Sequence, residues 1–228
     1  MVAEFRETFR ALETDETVGG VLLTGIPHFF SAGLDVIELY DYDRETIRQF
    51  FIDFGTMHVE LANFPKPLVC AITGHSPAGG TVIAVAADYR VMADNPKYTI
   101  GLNEVAVNIQ ISQNLVDAYA FWVGTGKAHE LVMEGKLMSP TEAKACGLVQ
   151  EICPLEETEA RAEQKLRHYL MAHPGILRNT KAKLRQSWLA RVNARDGADE
   201  LAQAIDIWWR PEVRARMKAF IDRLQKKV

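Results

Sequence analysis

Ala71-Ile-Thr-Gly-His-Ser-Pro-Ala-Gly-Gly-Thr-Val-Ile-Ala-Val-Ala-Ala-Asp88 sets a β-prone run, a glycine-rich bend and a helix of small residues side by side. Residues 68–73 are apolar and end at Gly74, while from Thr81 onward Ala84, Ala86 and Ala87 suit a closely packed helix. The pattern predicts strand, tight glycine turn and buried helix. In such a unit the first N–H groups of the helix have no intrahelical partner, and the positive end of the helix dipole faces the turn. Gly79 and Gly80 can therefore bring bare N–H donors against an oxygen, which is half of an oxyanion hole. A second donor, a base and an apolar pocket remain to be found.

Upstream, Gly19-Gly20 precedes a strand at Val21–Thr24, and Ile26-Pro-His-Phe-Phe-Ser-Ala-Gly-Leu-Asp35 follows as a loop unusually rich in apolar residues. Gly33 lets this loop turn sharply, so the Ala32 N–H can face inward as the second donor. The plainer alternative is that Ser31 and Asp35 only cap the next helix. Downstream, Glu104 is a lone carboxylate among Leu102, Val105, Ala106 and Val107. Burial in that company raises a carboxylic pKa toward the range of a base working near neutrality. The alternative is a solvated first-turn glutamate beside a capping Asn103.

The rest of the chain supplies scaffold. Residues 1–12 open inside an amphipathic helix, with Phe5, Phe9 and Leu12 on one face. Residues 36–63 read as one or two helices whose face of Phe50, Phe51, Phe54, Met57, Val59 and Leu61 suits a core or the lining of an acyl-chain site. Further strands are expected at Tyr89–Ala93, 98–100 and 148–153, and a helix at 112–135. Ser139-Pro-Thr-Glu142 has the spacing of a capping box. From Pro154 the chain reads as helices only, at about 155–172, 176–189, 198–209 and 211–227. Adjacent Trp208 and Trp209 cannot share one helix stripe, which points one of them at another chain or domain.

Composition narrows the function. With 228 residues, 48% of them hydrophobic, the chain can build a sizeable core with a helical appendage. A net charge of −4 gives no overall attraction to nucleic acid or to anionic membranes. Cys70, Cys146 and Cys153 sit among apolar residues and are odd in number, which suits buried thiols in a reducing compartment, so a cytoplasmic location is expected. No signal-like segment or run long enough to cross a membrane is present, and the histidines lack metal-ligand spacing, so no metal is expected. Gly74-His-Ser-Pro-Ala78 mimics a serine-hydrolase elbow, but Pro77 removes the N–H that such an elbow uses as an oxyanion donor. Gly79-Gly80 also lacks the flanking residues of a nucleotide-binding loop.

Phe30-Ser-Ala-Gly-Leu-Asp35, Ala71-Ile-Thr-Gly74 with Pro77-Ala-Gly-Gly80, Ala87-Asp-Tyr-Arg-Val91 and Ile100-Gly-Leu-Asn-Glu104 together resemble the signature segments of the crotonase (enoyl-CoA hydratase/isomerase) superfamily. The resemblance extends over nearly the whole chain. It implies an α/β fold, a crotonase-like spiral of ββα units over residues 1–154, and a C-terminal helical region over 155–228 that assembles trimers or hexamers. It implies an acyl-CoA thioester as ligand, with coenzyme A entering as part of the substrate and no separate cofactor. The thioester oxygen would rest on the Ala32 and Gly79 amides, within a binding segment of Ser31, Ala32, Gly33, Leu34, Asp35, Gly79 and Gly80. Lys66 and residues of the C-terminal helix of a neighbouring subunit are the candidates for holding the coenzyme A phosphates.

Hydratases of this family use two glutamates to hold and deprotonate water, and the first of these positions falls on Val82. One base, Glu104, is enough to move a double bond, and Pro77-Ala-Gly-Gly80, Asp88-Tyr-Arg90 and Gly101-Leu-Asn-Glu104 resemble the Δ3,Δ2-enoyl-CoA isomerases of fatty acid β-oxidation. The alternatives are hydration, with water placed by Asn103, and a non-catalytic acyl-CoA-binding role. The latter follows because family members usually carry a pair of strands before the helix with which this chain opens.

Overall fold

The computed structural model describes residues 1–194 and 196–226. In chain order its elements are α1 (Val2–Thr14), β1 (Val21–Thr24), β2 (His28–Phe29), α2 (Val36–Asp41), α3 (Arg44–Asn63), β3 (Leu68–Ile72), β4 (Gly74–Pro77), α4 (Gly79–Ala86), β5 (Tyr89–Ala93) and β6 (Ile100–Gly101). After a 3₁₀ turn at Val105–Val107 come α5 (Gln113–Val123), α6 (Thr125–Glu134), α7 (Pro140–Ala145) and β7 (Glu151–Cys153). A second 3₁₀ turn leads to α8 (Thr158–Tyr169), α9 (Pro174–Ala194), α10 (Ala198–Trp208) and α11 (Pro211–Gln225). The helix expected to 227 is described to Gln225, and Lys227 lies outside the described residues.

All strand pairs are parallel and form two sheets, ordered β1-β3-β5-β7 and β2-β4-β6. Through β6, successive strands alternate between the sheets, so each step adds one strand to each and the chain advances as a spiral. Leu68, Val69, Cys70, Ala71 and Ile72 are all fully buried, as befits a central parallel strand covered on both faces. One face carries α8 through Ala162 and Leu166, and the other carries the main core of Leu61, Ile72, Val85, Met92, Tyr119 and Trp188.

Gly74 does not make the expected turn. It begins β4, and a Cβ there would stand 1.9 Å from the backbone of His28, so glycine is required by the close approach of β2. Only Thr73 separates β3 from β4, and its hydroxyl donates to the Ile26 carbonyl at 2.9 Å. The expected helix over 112–135 is divided by Gly124, whose φ of +80° ends α5. The last strand starts at Glu151, because the Leu148 carbonyl accepts from Arg90 Nε and the Val149 N–H donates to Ala143. Ser139 and Glu142 form the expected capping box. Trp208 packs edge-on to Phe51, and half-buried Trp209 lies 4.8 Å from the Arg214 guanidinium, so both indoles pack within this chain.

The Asp88-Tyr-Arg90 segment is a clip. Asp88 accepts from the Leu68 N–H at 2.8 Å, Lys181 Nζ at 2.7 Å and Arg185 Nη2 at 2.7 Å, tying α9 to the turn between α4 and β5. Arg90, wholly buried, donates to the carbonyls of Leu148, Ala84 and Ala87 and lies 3.8 Å from the centre of the Trp122 ring. Burial pulls the Arg90 and Arg185 guanidiniums below their usual range and Lys181 down to about 8, with Asp88 opposing the shift in each. These charges hold the helices that surround the site.

Candidate active site

The two glycine-containing segments meet. The loop after β2 runs beside the start of α4, so a Cβ at Gly33 would stand 3.2 Å from the Gly79 nitrogen, and one at Gly79 would stand 3.1 Å from Gly33 Cα. Gly33 has a φ of +87° and Ala78 a φ of +45°, a strained value for a residue with a side chain. The Ala78 N–H donates to Gly101 at 2.9 Å, and Thr81 Oγ1 accepts from the Gly101 N–H while donating to the Ser76 carbonyl, which fixes the turn into α4. Among the described residues, neither the Ala32 nor the Gly79 N–H has an acceptor. Two N–H donors without acceptors thus lie on touching segments.

Ala32, Gly33, Leu34, Asp35 and Gly79 line one cavity of about 1050 Å³ together with Glu104. Ser31 and Gly80 stand behind its wall. Ser31 Oγ accepts from the Gly33 N–H at 3.2 Å, and a Cβ on Gly80 would meet the Ser31 carbonyl and Ser76 Oγ at 2.9 Å. Asp35 caps α2 by accepting from Ile37 and Glu38. Loop support, close packing and helix capping thus account for these three.

Glu104 reaches the cavity because β6 is pinned. Ile100 exchanges backbone bonds with Met138, and Gly101, at φ +153°, passes so near the Lys136 carbonyl that a Cβ would stand 2.3 Å from it. The chain then enters the short 3₁₀ turn, in which the Glu104 carbonyl accepts from Val107 and Ile109. Leu102 and Val107 are buried beside the carboxylate, whereas Val105 and Ala106 face outward. The carboxylate is 8% exposed, its Oε2 has no partner, and burial pushes its pKa up to about 7, its own backbone N–H opposing. Asn103 does not cap through its side chain: its backbone carbonyl takes the turn's N–H groups, and its buried Oδ1 has no partner.

Of the other two carboxylates lining the cavity, Asp35 is engaged as a cap and Glu200 accepts from the Gln113 N–H at 2.8 Å. Val82 is fully buried and outside the lining. The apolar walls come from Phe51, Phe54 and Val59 of α3, Leu115 of α5, Trp208 of α10 and Phe220 of α11. The α3 face was legible as an apolar stripe, but its place at the cavity and the share of α10 and α11 were not. His58, fully buried on that stripe and lining the cavity, was also missed; its one sequence signal is a polar ring one helical turn from Phe54 and beside Met57. Lys66 cannot serve a phosphate as expected, since it is buried with Nζ donating to the Leu12 and Asp15 carbonyls at 2.6 and 2.7 Å. Among the described residues no group of acids, histidines or cysteines could hold a metal, and no helix is long and apolar enough to cross a membrane.

The model of the enoyl-CoA hydratase/isomerase family matches residues 1–227. Mitochondrial enoyl-CoA delta isomerase 1 of Mus musculus is 36% identical over 187 residues, covering 82% of this chain and 65% of the mouse protein, so the chain spans just under two thirds of that relative's length. The Rattus norvegicus counterpart is 30% identical over 99% of this chain and 78% of its own length. A putative enoyl-CoA hydratase of Thermus thermophilus is 32% identical over 93% of this chain and 83% of its own. The crystal structure of human mitochondrial delta3-delta2-enoyl-CoA isomerase superposes with a TM-score of 0.94 at 28% identity, over 99% of this chain and 88% of that one. The crotonase-like α/β spiral with a C-terminal helical region, expected from the sequence motifs, is the observed fold.

Proposed function

Because the chain belongs to the enoyl-CoA hydratase/isomerase family, we propose that it is an enoyl-CoA delta isomerase, moving the double bond of a 3-enoyl-CoA to the trans-2 position during fatty acid β-oxidation. The observation that carries this reading is Glu104, a buried carboxylate whose Oε2 has no partner, in the same cavity as Ala32 and Gly79.

The thioester carbonyl rests on the two N–H groups, which acidifies the C2 proton because negative charge moves onto that oxygen as the proton leaves. Glu104 takes the C2 proton, giving a dienolate held by the same donors. It then returns the proton to C4, and the double bond ends conjugated with the thioester. A carboxyl with a pKa of about 7 is suited to both halves, since neither its acid nor its base form is strongly preferred near neutrality. The dry surroundings that raise this pKa also keep water from the dienolate. Coenzyme A belongs to the substrate, and no step calls for a separate cofactor. Assembly as a trimer or hexamer through the helical region is part of the proposal and is checked by light scattering.

Hydration is the second reading, favoured by the unpartnered Asn103 Oδ1 at the cavity, which could hold a water near Glu104. Supplying a medium-chain 3-enoyl-CoA and, separately, its 2-enoyl isomer decides between them. The isomerase reading expects conjugated-thioester absorbance to rise with the first and no water to add to the second. Hydration of the second without isomerisation of the first rejects it, and binding without either reaction leaves an acyl-CoA-binding protein.

A further inference from the structure

Gly55 stands in the interior of α3, where glycine is the least favourable residue short of proline. Close approach explains Gly33 and Gly79, since a Cβ on either would stand within 3.2 Å of the other segment. At Gly55 a Cβ would meet nothing within 4 Å, so no described neighbour requires glycine there.

The direction of the missing side chain follows from helix geometry. Residues three and four positions away flank it, and Phe51, Ile52 and Val59 all line the cavity, as Gly55 itself does. A side chain at 55 would therefore project into the cavity. Its level follows from α4. Arg185 Nη1 donates to the Ala62 carbonyl of α3 and the Ala86 carbonyl of α4, and four residues earlier on both helices His58 lies against the Val82 backbone. The two helices thus run side by side in the same direction, and three residues further back Gly55 comes level with Gly79.

Beyond that level α4 has ended, whereas α3 continues back to Arg44, about 16 Å at 1.5 Å per residue. This stretch is apolar where it meets the cavity: Phe51 packs edge-on to Trp208, and Ile52, Phe220 and Leu224 join them in the lining. We propose that Gly55 is a chain-length specificity residue, leaving open the passage by which a long acyl chain runs from the Gly79 amide to the apolar pocket walled by α10 and α11. A short acyl chain ends near the amide and uses little of that passage. A long one must cross it.

This inference rests on the acyl-CoA reading of the cavity, and the two can fail separately. Titration calorimetry with hexanoyl-CoA and dodecanoyl-CoA is run on the wild type, Gly55→Ala and Gly55→Leu. The dodecanoyl-to-hexanoyl affinity ratio should fall about 10–100-fold in Gly55→Leu, and by less in Gly55→Ala. Without ligand, Gly55→Ala should melt about 2–4 °C above the wild type, because alanine is the better helix former, so the lost preference is not misfolding. A wild type that binds the two thioesters alike, or a ratio unchanged in Gly55→Leu, overturns the assignment alone. An alanine variant that melts lower means that the fold itself requires glycine at this position, and overturns it too. Failure of the wild type to bind either thioester removes the acyl-CoA reading, and this inference with it.

Discussion

Replacing Glu104 by glutamine separates chemistry from stability, because the same burial controls both. Burial raises the carboxyl from 4.5 to about 7. At roughly 1.4 kcal/mol for each pKa unit, ionising this side chain inside the folded protein costs on the order of 3 kcal/mol relative to the unfolded chain. The sign follows from proton counting. Below about pH 4.5 both states are protonated and the group adds no pH dependence. Between about 4.5 and 7 the native state binds the extra proton, so stability falls as pH rises. Above about 7 both states are ionised and the full cost persists. Glutamine has the same shape and no charge, so Glu104→Gln should melt close to the wild type at pH 4.5 and above it at pH 8. For a chain of this length about 3 kcal/mol corresponds to roughly 6–12 °C. Scanning calorimetry of both proteins at the two pH values reads this directly, and parallel isomerisation assays should show kcat/KM lower by roughly 10²–10⁴ in the variant. A melting difference that is the same at pH 4.5 and pH 8 refutes the claim that Glu104 is buried and hard to ionise, and with it the reason given for its basicity.

Wild-type kcat/KM for isomerisation should rise with pH, reach half its maximum near 7 and then level off, as Glu104 becomes the free base; a rate independent of pH between 5 and 9 removes it from that role. Gly79→Ala places a methyl group 3.1 Å from Gly33 Cα and so pushes the two donors apart. Isomerisation should fall by about 10²–10³ with the circular dichroism spectrum unchanged, and retention of full activity counts against the paired amides. His58 has the opposite pH sign to Glu104, because its folded pKa of about 4 lies below the usual 6.5, so its contribution is lost as pH falls from 6.5 toward 4. His58→Leu should abolish that acid-side loss, as read from urea midpoints at pH 4.5 and 7. Asp88→Asn leaves Arg185 and Lys181 buried without their counter-charge, and should cost about 3–5 kcal/mol in denaturant unfolding; a near-neutral result means that the clip is incidental.

The sequence was most legible where a local constraint repeats as a pattern. Leu68 to Ile72 read as a buried strand because every residue in it is apolar, and Ser139 to Glu142 as a helix start because a capping box acts over three residues. Gly79 and Ala32 were legible as candidate donors because a helix N-terminus and a glycine-rich loop leave N–H groups bare wherever they occur. Gly74 was misread, since the residue that requires it, His28, is remote in sequence. Lys66 was misread for a similar reason: its acceptors are carbonyls of Leu12 and Asp15, and backbone carbonyls leave no trace in side-chain identity.

By itself, then, the sequence determined the α/β class and the family through its signature segments, and it singled out Ala32, Gly79 and Glu104 as candidates because glycine-rich turns and a lone carboxylate among apolar residues are short-range patterns. The tertiary structure decided that Gly33 and Gly79 touch, that Glu104 is buried enough to titrate near 7, and that α10 and α11 help to wall the cavity. Each of those is a fact about which remote segments exclude water from one another, and dielectric surroundings and cavity walls exist only once the chain has packed.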